Sequence, residues 1–327
     1  MKVGIIGAGY WGLNLIRVAH ELGLLESVCD ANEAAIAKVA EQYPDVGLEF
    51  DVTSLLEREI DAVLIAAPAP LHAELALEAI AAGKHVFVEK PLAMSVEEAA
   101  TVVRAARAGG RTLFVGHVLL FHPAVQRMIG LIREGAIGEI RHLRSRRLSW
   151  GKLRAQENVW WSFAPHDVAV AVEIFEEVPQ SLRGSTSAFV RPAIADFAYA
   201  DLRFSRGRSA HIEVCWIDPD RSSRLDVFGS RGVLRLIDSR EGAELTLTPC
   251  GGREDDGGIP FLWREDSRPI AFTPAEPLKA ELRAFVEAID QGIHPLTDGD
   301  EGLRVVTTLA MLGARSDVPH PSIEVPA

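Results

Sequence analysis

A glycine-rich turn near the amino terminus constrains the fold more than any other feature of this sequence. The turn follows a short apolar strand pattern at Lys2–Ile6 and opens a helical pattern that starts at about Trp11. In such a turn the first glycine permits a tight bend, the second lets the backbone approach a pyrophosphate, and the third allows the helix to pack closely on the strand. The helix N-terminus also offers unpaired N–H groups and a favourable dipole to phosphates. We therefore predict a dinucleotide site, the alternative being a glycine-rich turn without a ligand. Its predicted residues are Gly7, Gly9, Tyr10, Trp11 and Gly12.

Strand and helix patterns alternate through the first 116 residues. The predicted strands are Lys2–Ile6, Glu26–Asp30, Asp61–Ala66, His85–Glu89 and Thr112–Gly116, with a weaker one at Gly47–Phe50. The predicted helices are Trp11–Leu22, Glu33–Gln42, His72–Ala82 and one opened by the capping-box pattern Ser95–Glu98. Continuous apolar strands that alternate with helices are typical of a parallel sheet covered on both faces. The pattern predicts an α/β fold that starts with a doubly wound Rossmann domain at residues 1–117.

An acidic residue ends the second predicted strand. The carboxylate of Asp30 can accept hydrogen bonds from both hydroxyls of an adenine ribose, and it would repel the 2′-phosphate of NADP. NAD is therefore the predicted cofactor, although Asp30 could instead be a helix cap or turn residue. Pro68 and His72 follow a later strand, at the sheet edge where ligands bind, and we assign them to the cofactor site. His72 could equally be an exposed residue of a first helical turn.

The run Glu89-Lys90-Pro91 follows the fifth confident strand. A lysine there would lie beside the nicotinamide end of a cofactor stretched along the strand edge. Burial or nearby positive charge can lower the pKa of a lysine far enough for proton transfer. Pro91 restricts Lys90 to an extended backbone and could follow a cis peptide bond. The alternative is an exposed ion pair between Glu89 and Lys90.

Together, the glycine-rich turn, Asp30 and Glu89-Lys90-Pro91 resemble the Gfo/Idh/MocA family of sugar and polyol oxidoreductases. Gly116–Pro123 looks like the family's segment between its two domains, and Gly138–Ile140 like its entry into the large second sheet. Further motifs are similar to the branch of UDP-N-acetylglucosamine and glucosaminuronate 3-dehydrogenases. These motifs are Gly9–Asn14, Trp161–Asp167, Trp216–Pro219 and Pro295–Gly299.

The resemblance implies a hydride transfer from a sugar carbon to the nicotinamide of NAD, with a secondary hydroxyl losing its proton. Mapped by motif, Lys90 and His166 are the family's catalytic lysine and histidine. The family has an acidic residue four positions before the histidine, where this chain has Ser162. Residues i and i+4 share a helix face, so Ser162 and His166 can reach one substrate hydroxyl, but serine cannot act as a base at neutral pH. Asp167 is a poor replacement, because one step along a helix turns it about 100° away.

From Glu139 onward, alternating strand patterns predict a C-terminal α+β domain at residues 118–327 with a large, mainly antiparallel sheet. The predicted strands are Ile140–Trp150, Ser181–Val190, Phe197–Phe204, Ala210–Trp216, Arg224–Gly229, Gly232–Asp238 and Leu245–Thr248. Two closing helices, about Leu278–Gln291 and Glu301–Ala314, are expected between the domains, and Gly251–Gly258 is expected to be a mobile loop. An uncovered sheet face would fit a homo-oligomer, and the family resemblance implies a homodimer or homotetramer.

The composition argues against several classes of partner. Acidic residues outnumber Lys and Arg by 46 to 34, and the resulting charge of −12 disfavours nucleic acid. Three separated cysteines and ten histidines without ligand spacing predict neither a disulfide framework nor a metal site. The longest apolar stretch, Ile60–Ala82, is interrupted by prolines and charges, so we predict no membrane span. The chain enters a strand pattern at once, without a signal-peptide pattern, and we expect a cytoplasmic protein.

These observations favour an NAD-dependent dehydrogenase that acts on a sugar, in particular a nucleotide sugar at its 3-position. An inositol or free-sugar dehydrogenase on the same fold is one alternative. A non-catalytic NAD-binding regulator is another: Ser162 favours it, whereas the retained Lys90 and His166 oppose it.

Overall fold

The computed structural model describes residues 1–151, 153–154, 157–239, 242–254 and 258–313. Six parallel strands in these ranges form the first sheet, in the order β3-β2-β1-β4-β5-β6. They are β1 (Val3–Ile6), β2 (Leu25–Cys29), β3 (Gly47–Glu49), β4 (Ala62–Ile65), β5 (His85–Glu89) and β6 (Leu113–Gly116). The intervening helices are α1 (Gly12–Glu21), α2 (Glu33–Gln42), α3 (Val52–Leu56), α4 (His72–Ala81) and α5 (Val96–Ala108). The predicted doubly wound parallel sheet is confirmed.

Local sequence explains where several of these helices begin. The Ser95 hydroxyl accepts a hydrogen bond from the Glu98 N–H, and the Glu98 carboxylate accepts one from the Ser95 N–H, so the predicted capping box is present. The side chain of Asn32 caps α2 in the same position relative to its helix. The buried, continuous apolar pattern of β1 and β4 matches strands that have helices on both faces.

The second sheet contains nine strands within the described ranges. Its path is β14-β13-β12-β11-β7-β10-β9-β8, with β15 paired to β13; the β7–β10 pair is parallel and the other pairs are antiparallel. The strands are β7 (Ile140–Trp150), β8 (Ser181–Ser187), β9 (Phe197–Arg203), β10 (Ser209–Cys215), β11 (Ile217–Gly229), β12 (Gly232–Ser239), β13 (Gly242–Glu254), β14 (Pro260–Arg264) and β15 (Arg268–Pro269). The predicted α+β architecture with a mainly antiparallel sheet is confirmed.

One expectation for this sheet is wrong. Gly251–Glu254 belong to β13 and pair with β14, instead of forming a loop. Ladder hydrogen bonds from a neighbouring strand override the turn tendency of the glycines there. Asp255, Asp256 and Gly257, also within the expected loop, lie outside the described residues.

Four helices complete the fold: α6 (Pro123–Arg133), α7 (Val159–Phe175), α8 (Pro277–Gln291) and α9 (Gly299–Gly313). The apolar face of α8 joins the core of the first sheet, where Phe285 packs against Phe87 and Phe114. Helix α9 contributes Val306 to the core around the first sheet and Val305 to the core of the second. Helix α9 therefore joins the cores of the two sheets, as the sequence predicts, whereas the apolar face of α8 belongs to the core of the first sheet. Ala314, the last residue of the second predicted helix, lies outside the described residues.

Candidate active site

The glycine-rich turn has the packing that its sequence predicts. Gly7 has a φ of 102°, and a Cβ there would lie 2.7 Å from the carbonyl carbon of Ala66. A Cβ on Gly12 would collide with the carbonyl group of Gly7. Gly9 differs, because a Cβ there would meet nothing within 4 Å. Packing therefore requires Gly7 and Gly12, whereas the open space at Gly9 fits a ligand that approaches the backbone.

Helix α1 begins at this turn with its positive end unneutralised. Trp11 makes no side-chain cap hydrogen bond, and the first turn of α1 contains no acidic residue. Tyr10 and Trp11 are exposed, at 79% and 36% of their surface. A helix end of this kind favours an anion, so the turn suits the pyrophosphate of a dinucleotide.

The carboxylate of Asp30 lies at the carboxyl end of β2, beside the same turn. Its Oδ2 accepts a hydrogen bond from the Ala8 N–H at 2.7 Å, and its Oδ1 accepts one from the Asn32 N–H at 2.8 Å. Asp30 therefore fixes the glycine-rich turn to β2, while Asn32 caps the helix that follows. Each carboxylate oxygen can accept more than one hydrogen bond, so both oxygens can still accept from ribose hydroxyls.

Lys90 follows β5 directly and reaches across to α7. Its Nζ donates a hydrogen bond to the Ser162 carbonyl oxygen at 3.2 Å. The Lys90–Pro91 peptide bond is cis. Burial lowers the pKa of Lys90, the charges of Arg154 and Arg147 lower it further, and Glu89 and Glu157 act in the opposite direction.

His166 lies one turn after Ser162 on α7. Its Nδ1 is buried without a hydrogen-bond partner in the described structure. Burial lowers the pKa of His166 well below its usual range, and the charges of Lys90, Arg147 and His117 add to this effect. The imidazole is therefore neutral at neutral pH and has a free nitrogen. Lys90 thus binds the helix that carries His166 and interacts electrostatically with its imidazole.

Asp167 and Ser162, the acidic and the polar neighbour of His166 on α7, make different contacts. Asp167 is buried and turned away, because its carboxylate accepts hydrogen bonds from Ser145 at 2.6 Å and from Arg147 at 2.8 Å and 3.0 Å. Asp167 therefore does not take the place of the acidic residue that the family has at the position of Ser162. The Ser162 hydroxyl is also buried and has no hydrogen-bond partner in the described structure.

His72 is buried, so its alternative as an exposed residue of a first helical turn is wrong. Its Nδ1 lies 2.7 Å from the Pro91 carbonyl oxygen, and its Nε2 lies 2.8 Å from the Ala67 carbonyl oxygen. Tertiary packing of α4 against the segment after β5 covers the ring. His72 thus connects the end of β4 to the segment that carries Lys90, and Pro68 is exposed at the same sheet edge.

Glu89 lies beneath the glycine-rich turn. The residue is only 5% exposed, and its carboxyl group accepts a hydrogen bond from the Trp11 indole N–H. Burial raises the pKa of Glu89 to about 7, although Lys90, Trp11 and His117 act in the opposite direction. An exposed ion pair between Glu89 and Lys90 is therefore not what the structure shows.

Sequence reasoning missed a buried pair next to these groups. His117, directly after β6, places its Nδ1 2.7 Å from Oε2 of Glu301 on α9, and each side chain is only 1% exposed. Gly116-His117 stood inside a recognised motif, but nothing in the sequence linked it to a glutamate 184 positions later. Glu281 on α8 is also fully buried and interacts with both Glu89 and Glu301.

The arginines of β7 are divided between the two faces of the sheet. Arg147 binds Asp167 on the face covered by α7. On the other face, Arg144, Arg224 and Arg235 all bind the fully buried carboxylate of Asp226. Arg224 is therefore engaged with the Asp226 carboxylate.

A helix long and apolar enough to cross a bilayer is absent from the described part of the chain.

Two family models match this sequence. An oxidoreductase family model with an NAD-binding Rossmann fold, named GFO_IDH_MocA, matches residues 1–117. The GFO/IDH/MocA C-terminal domain matches residues 125–235. Together the two models cover more than half of the chain.

Individual relatives agree with these models. The UDP-N-acetylglucosamine 3-dehydrogenase of Acidithiobacillus ferrooxidans is 28% identical, over 94% of this chain and 94% of that protein. A solved structure of that dehydrogenase covers 97% of both chains with a TM-score of 0.85 and 26% identity. The 2,7-anhydro-N-acetylneuraminate hydratase of Escherichia coli is 31% identical, over 65% of this chain and 61% of that protein, which is less than two thirds of its length.

Proposed function

Because this chain belongs to the GFO/IDH/MocA family of NAD-binding oxidoreductases, we propose that it oxidises a secondary hydroxyl of a sugar, specifically a nucleotide sugar at its 3-position. One observation carries the reaction type: the Lys90 amine is hydrogen-bonded to the helix that carries His166, at the sheet edge next to the NAD-binding turn. This contact supports the proposal, because an amine and a neutral imidazole near one substrate hydroxyl could together remove its proton.

The proposed cofactor residues follow the strand order of the first sheet. Asp30 at the end of β2 would hold the adenine ribose, and the Gly9 backbone at the end of β1 would hold the pyrophosphate. The other half of NAD then extends past Pro68 and His72 toward Glu89 and Lys90. Tyr10 and Trp11 would cover it from the exposed side of the turn.

NAD supplies, when bound, the electrophilic carbon that accepts the hydride. The residues of this chain hold the hydroxyl and remove its proton. His166 is neutral and its side chain is half-buried, so one nitrogen of the ring carries no proton and can accept a proton or a hydrogen bond from the hydroxyl. Lys90, whose pKa is lowered, can polarise the oxygen as an ammonium or accept the proton as an amine. The burial of both groups strengthens these interactions by excluding water.

The proposed reaction requires neither Ser162 nor Asp167 to act as a base. Asp167 is bound to Ser145 and Arg147, and the Ser162 hydroxyl is buried. Ser162 contributes its main-chain carbonyl, which orients the Lys90 amine toward α7. Its side chain can add a hydrogen bond to the substrate hydroxyl only if substrate binding uncovers it.

The substrate assignment is supported by similarity over nearly the whole chain to a UDP-N-acetylglucosamine 3-dehydrogenase. Arg154 and Arg191 are cationic candidates for contacting an anionic substrate group, because Arg154 interacts electrostatically with Lys90 and its carbonyl accepts a hydrogen bond from Arg191. Arg154 also pairs with Glu157 at 3.5 Å, but its side chain remains 57% exposed. Arg224 is a weaker candidate, because it is bound to Asp226.

The test is NADH formation by the purified protein with a panel of UDP-sugars, inositols and free hexoses. We expect turnover on a UDP-sugar, and a loss of about a hundredfold or more in Lys90→Met. Lys38→Met, which removes an exposed lysine from α2, is the matched control and should retain full activity. Turnover only on an inositol or free hexose would overturn the nucleotide-sugar assignment.

A non-catalytic NAD-binding regulator is the second candidate, and the replacement of an acid by Ser162 is the observation that favours it. It predicts tight NAD binding without turnover on any member of the panel. Equal NAD affinity in the wild type and Lys90→Met, together with no NADH formation, would support the regulator.

We also propose that the protein is a homodimer or homotetramer that functions in the cytoplasm. The face of the second sheet opposite α7 carries partly exposed aromatic groups, including Tyr199 at 39%. Light scattering coupled to size exclusion measures the mass of the assembly, and a mass equal to one chain of 35.6 kDa would contradict this proposal.

A further inference from the structure

Three buried carboxyl groups and one imidazole lie together behind the strand end that carries Lys90. Glu301 and His117 are in direct contact at 2.7 Å. Glu89 lies against the neighbouring residue, because a Cβ on Gly116 would be 3.1 Å from its carboxyl oxygens. Glu281 is fully buried and interacts with both Glu89 and Glu301. We call these four residues the carboxyl cluster.

The carboxyl cluster is poorly supplied with hydrogen bonds. His117 Nε2, Glu301 Oε1 and both carboxyl oxygens of Glu281 are buried and have no partner in the described structure. An ionised carboxylate in such a position is costly unless it is paired or becomes protonated. Burial raises the pKa of Glu281 well above its usual range, and Glu89 and Glu301 raise it further. With the pKa of Glu89 also raised to about 7, the cluster holds protons at neutral pH.

Charged groups lie around the cluster, and among them Lys90 favours the ionised form of Glu89. On the active-site side its neighbours are Lys90 and His166, which interact with Glu89 and His117 respectively. Helix α1 packs against α8, but the ionic groups there pair with one another: Arg17 binds Glu276, and Lys279 binds Glu21 at 2.9 Å. On α9, the Nε of Arg304 is buried without a partner.

The strand order relates the cluster to one part of the proposed NAD site. With Asp30 at β2 holding the adenine ribose and the turn after β1 holding the pyrophosphate, the nicotinamide end would lie toward β5. Glu89 ends β5, and its carboxyl group is hydrogen-bonded to Trp11 of the pyrophosphate turn. The nicotinamide of NAD⁺ carries a positive charge, which favours the ionised form of a nearby carboxyl group. The nicotinamide of NADH is neutral.

We propose that Glu89, His117, Glu281 and Glu301 form a proton store that releases a proton when NAD⁺ binds and retains it when NADH binds. The carboxylate produced by NAD⁺ binding compensates the charge of the nicotinamide. It also leaves the store ready to take up the proton that the substrate hydroxyl gives to Lys90 or His166. In the complete oxidation the alcohol carbon loses a hydride to NAD⁺, and the hydroxyl proton returns the store to its original state.

Isothermal titration calorimetry tests this proposal without any substrate. Binding of NAD⁺ and of NADH is measured at pH 7 in buffers with different ionisation enthalpies, which gives the number of protons released. We expect NAD⁺ to release about half a proton or more and NADH to release markedly less, because a group with a pKa near 7 is half protonated there. Equal proton release with the two cofactors would overturn the proposal.

Matched variants assign the released proton to the cluster. Glu281→Gln preserves shape and removes one exchangeable proton, so the difference between NAD⁺ and NADH should fall. Glu287→Gln changes an exposed glutamate on the same helix and should leave the difference unchanged. Glu301→Gln is the second cluster variant if Glu281→Gln does not fold. A difference unaffected by both cluster variants would contradict the assignment. The outcome depends on NAD binding alone, so a wrong sugar assignment would not affect it.

Discussion

The contact between Arg147 and Asp167 makes two separable predictions, one for stability and one for the proton chemistry of His166. The Asp167 carboxylate is 3% exposed and the Arg147 side chain 19%, with two hydrogen bonds between them. Arg147→Met leaves a buried carboxylate without its cation, which costs about 3–5 kcal/mol. Asp167 would retain only the hydrogen bond from Ser145.

The double variant separates charge from shape. Arg147→Met combined with Asp167→Asn removes both charges, and replacing a buried ion pair as a whole is often nearly neutral. We therefore expect the double variant to be about 2 kcal/mol or more stable than Arg147→Met alone. Urea unfolding followed by tryptophan fluorescence measures both values.

The same two variants should shift the titration of His166 in one direction. The Arg147 charge lowers the pKa of His166, so its removal raises that pKa. The proposed sugar oxidation uses the neutral imidazole, so the acidic limb of kcat/KM should move to higher pH in the single and the double variant alike. NMR titration of the imidazole gives the same information without turnover.

Two results would refute this reasoning. Equal stability of Arg147→Met and the double variant would show that the Asp167 carboxylate is not left uncompensated. An unchanged titration of His166 in both variants would show that Arg147 does not influence the imidazole. Asp167→Asn alone is the control for the titration, because it keeps the Arg147 charge.

Three further predictions follow from the site. Gly12→Ala should lower the free energy of unfolding by about 2 kcal/mol or more, because its Cβ meets the Gly7 carbonyl. Gly9→Ala should unfold like the wild type but bind NAD at least about tenfold more weakly. Equal urea unfolding midpoints for the two variants would contradict this contrast. The folded protein binds a proton on Glu89 up to pH about 7 and the unfolded chain only up to about 4.5, so stability falls as the pH rises through this window. Glu89→Gln should therefore gain up to about 3 kcal/mol relative to the wild type between pH 4 and pH 8, and a constant difference across that range would show otherwise. Because the pKa of His166 is lowered in the folded protein, the unfolded chain binds the proton more readily, and the free energy of unfolding falls as the pH drops below about 6.5. His166→Asn should reduce this dependence on pH, which urea unfolding at several pH values can measure.

The sequence predicts best the features that a few adjacent residues determine. The glycine-rich turn requires Gly7 and Gly12 for contacts within the first strand and helix, and the capping box needs only Ser95 and Glu98. Strands β5 and β7 begin and end where their patterns do. The end of β13 was predicted as a loop, because Gly251 and Gly252 favour turns. Their hydrogen-bonded pairing with β14 outweighs that tendency.

Features that join distant parts of the chain were harder to predict. Asp30 was predicted as a ribose ligand, but its contact with the Ala8 N–H depends on how the turn folds back over β2. The pair of His117 and Glu301 requires α9 to pack on the end of β6, and no periodicity encodes that packing. Glu281 lies on the buried face of an amphipathic helix, where its charge gives no hint of a site.

The contact made by Lys90 shows why the reaction type is easier to predict from the sequence than the substrate. Pro165 lies inside α7 and has no N–H, so the Trp161 carbonyl loses its helical donor at the turn that receives Lys90. The neighbouring Ser162 carbonyl accepts the Lys90 amine, which brings the amine to the helix of His166. Short motifs contain both partners of this contact, and the proposed proton chemistry rests on them. The proposed substrate contacts of Arg154 and Arg191 join residues 37 positions apart, and no short motif encodes such a contact.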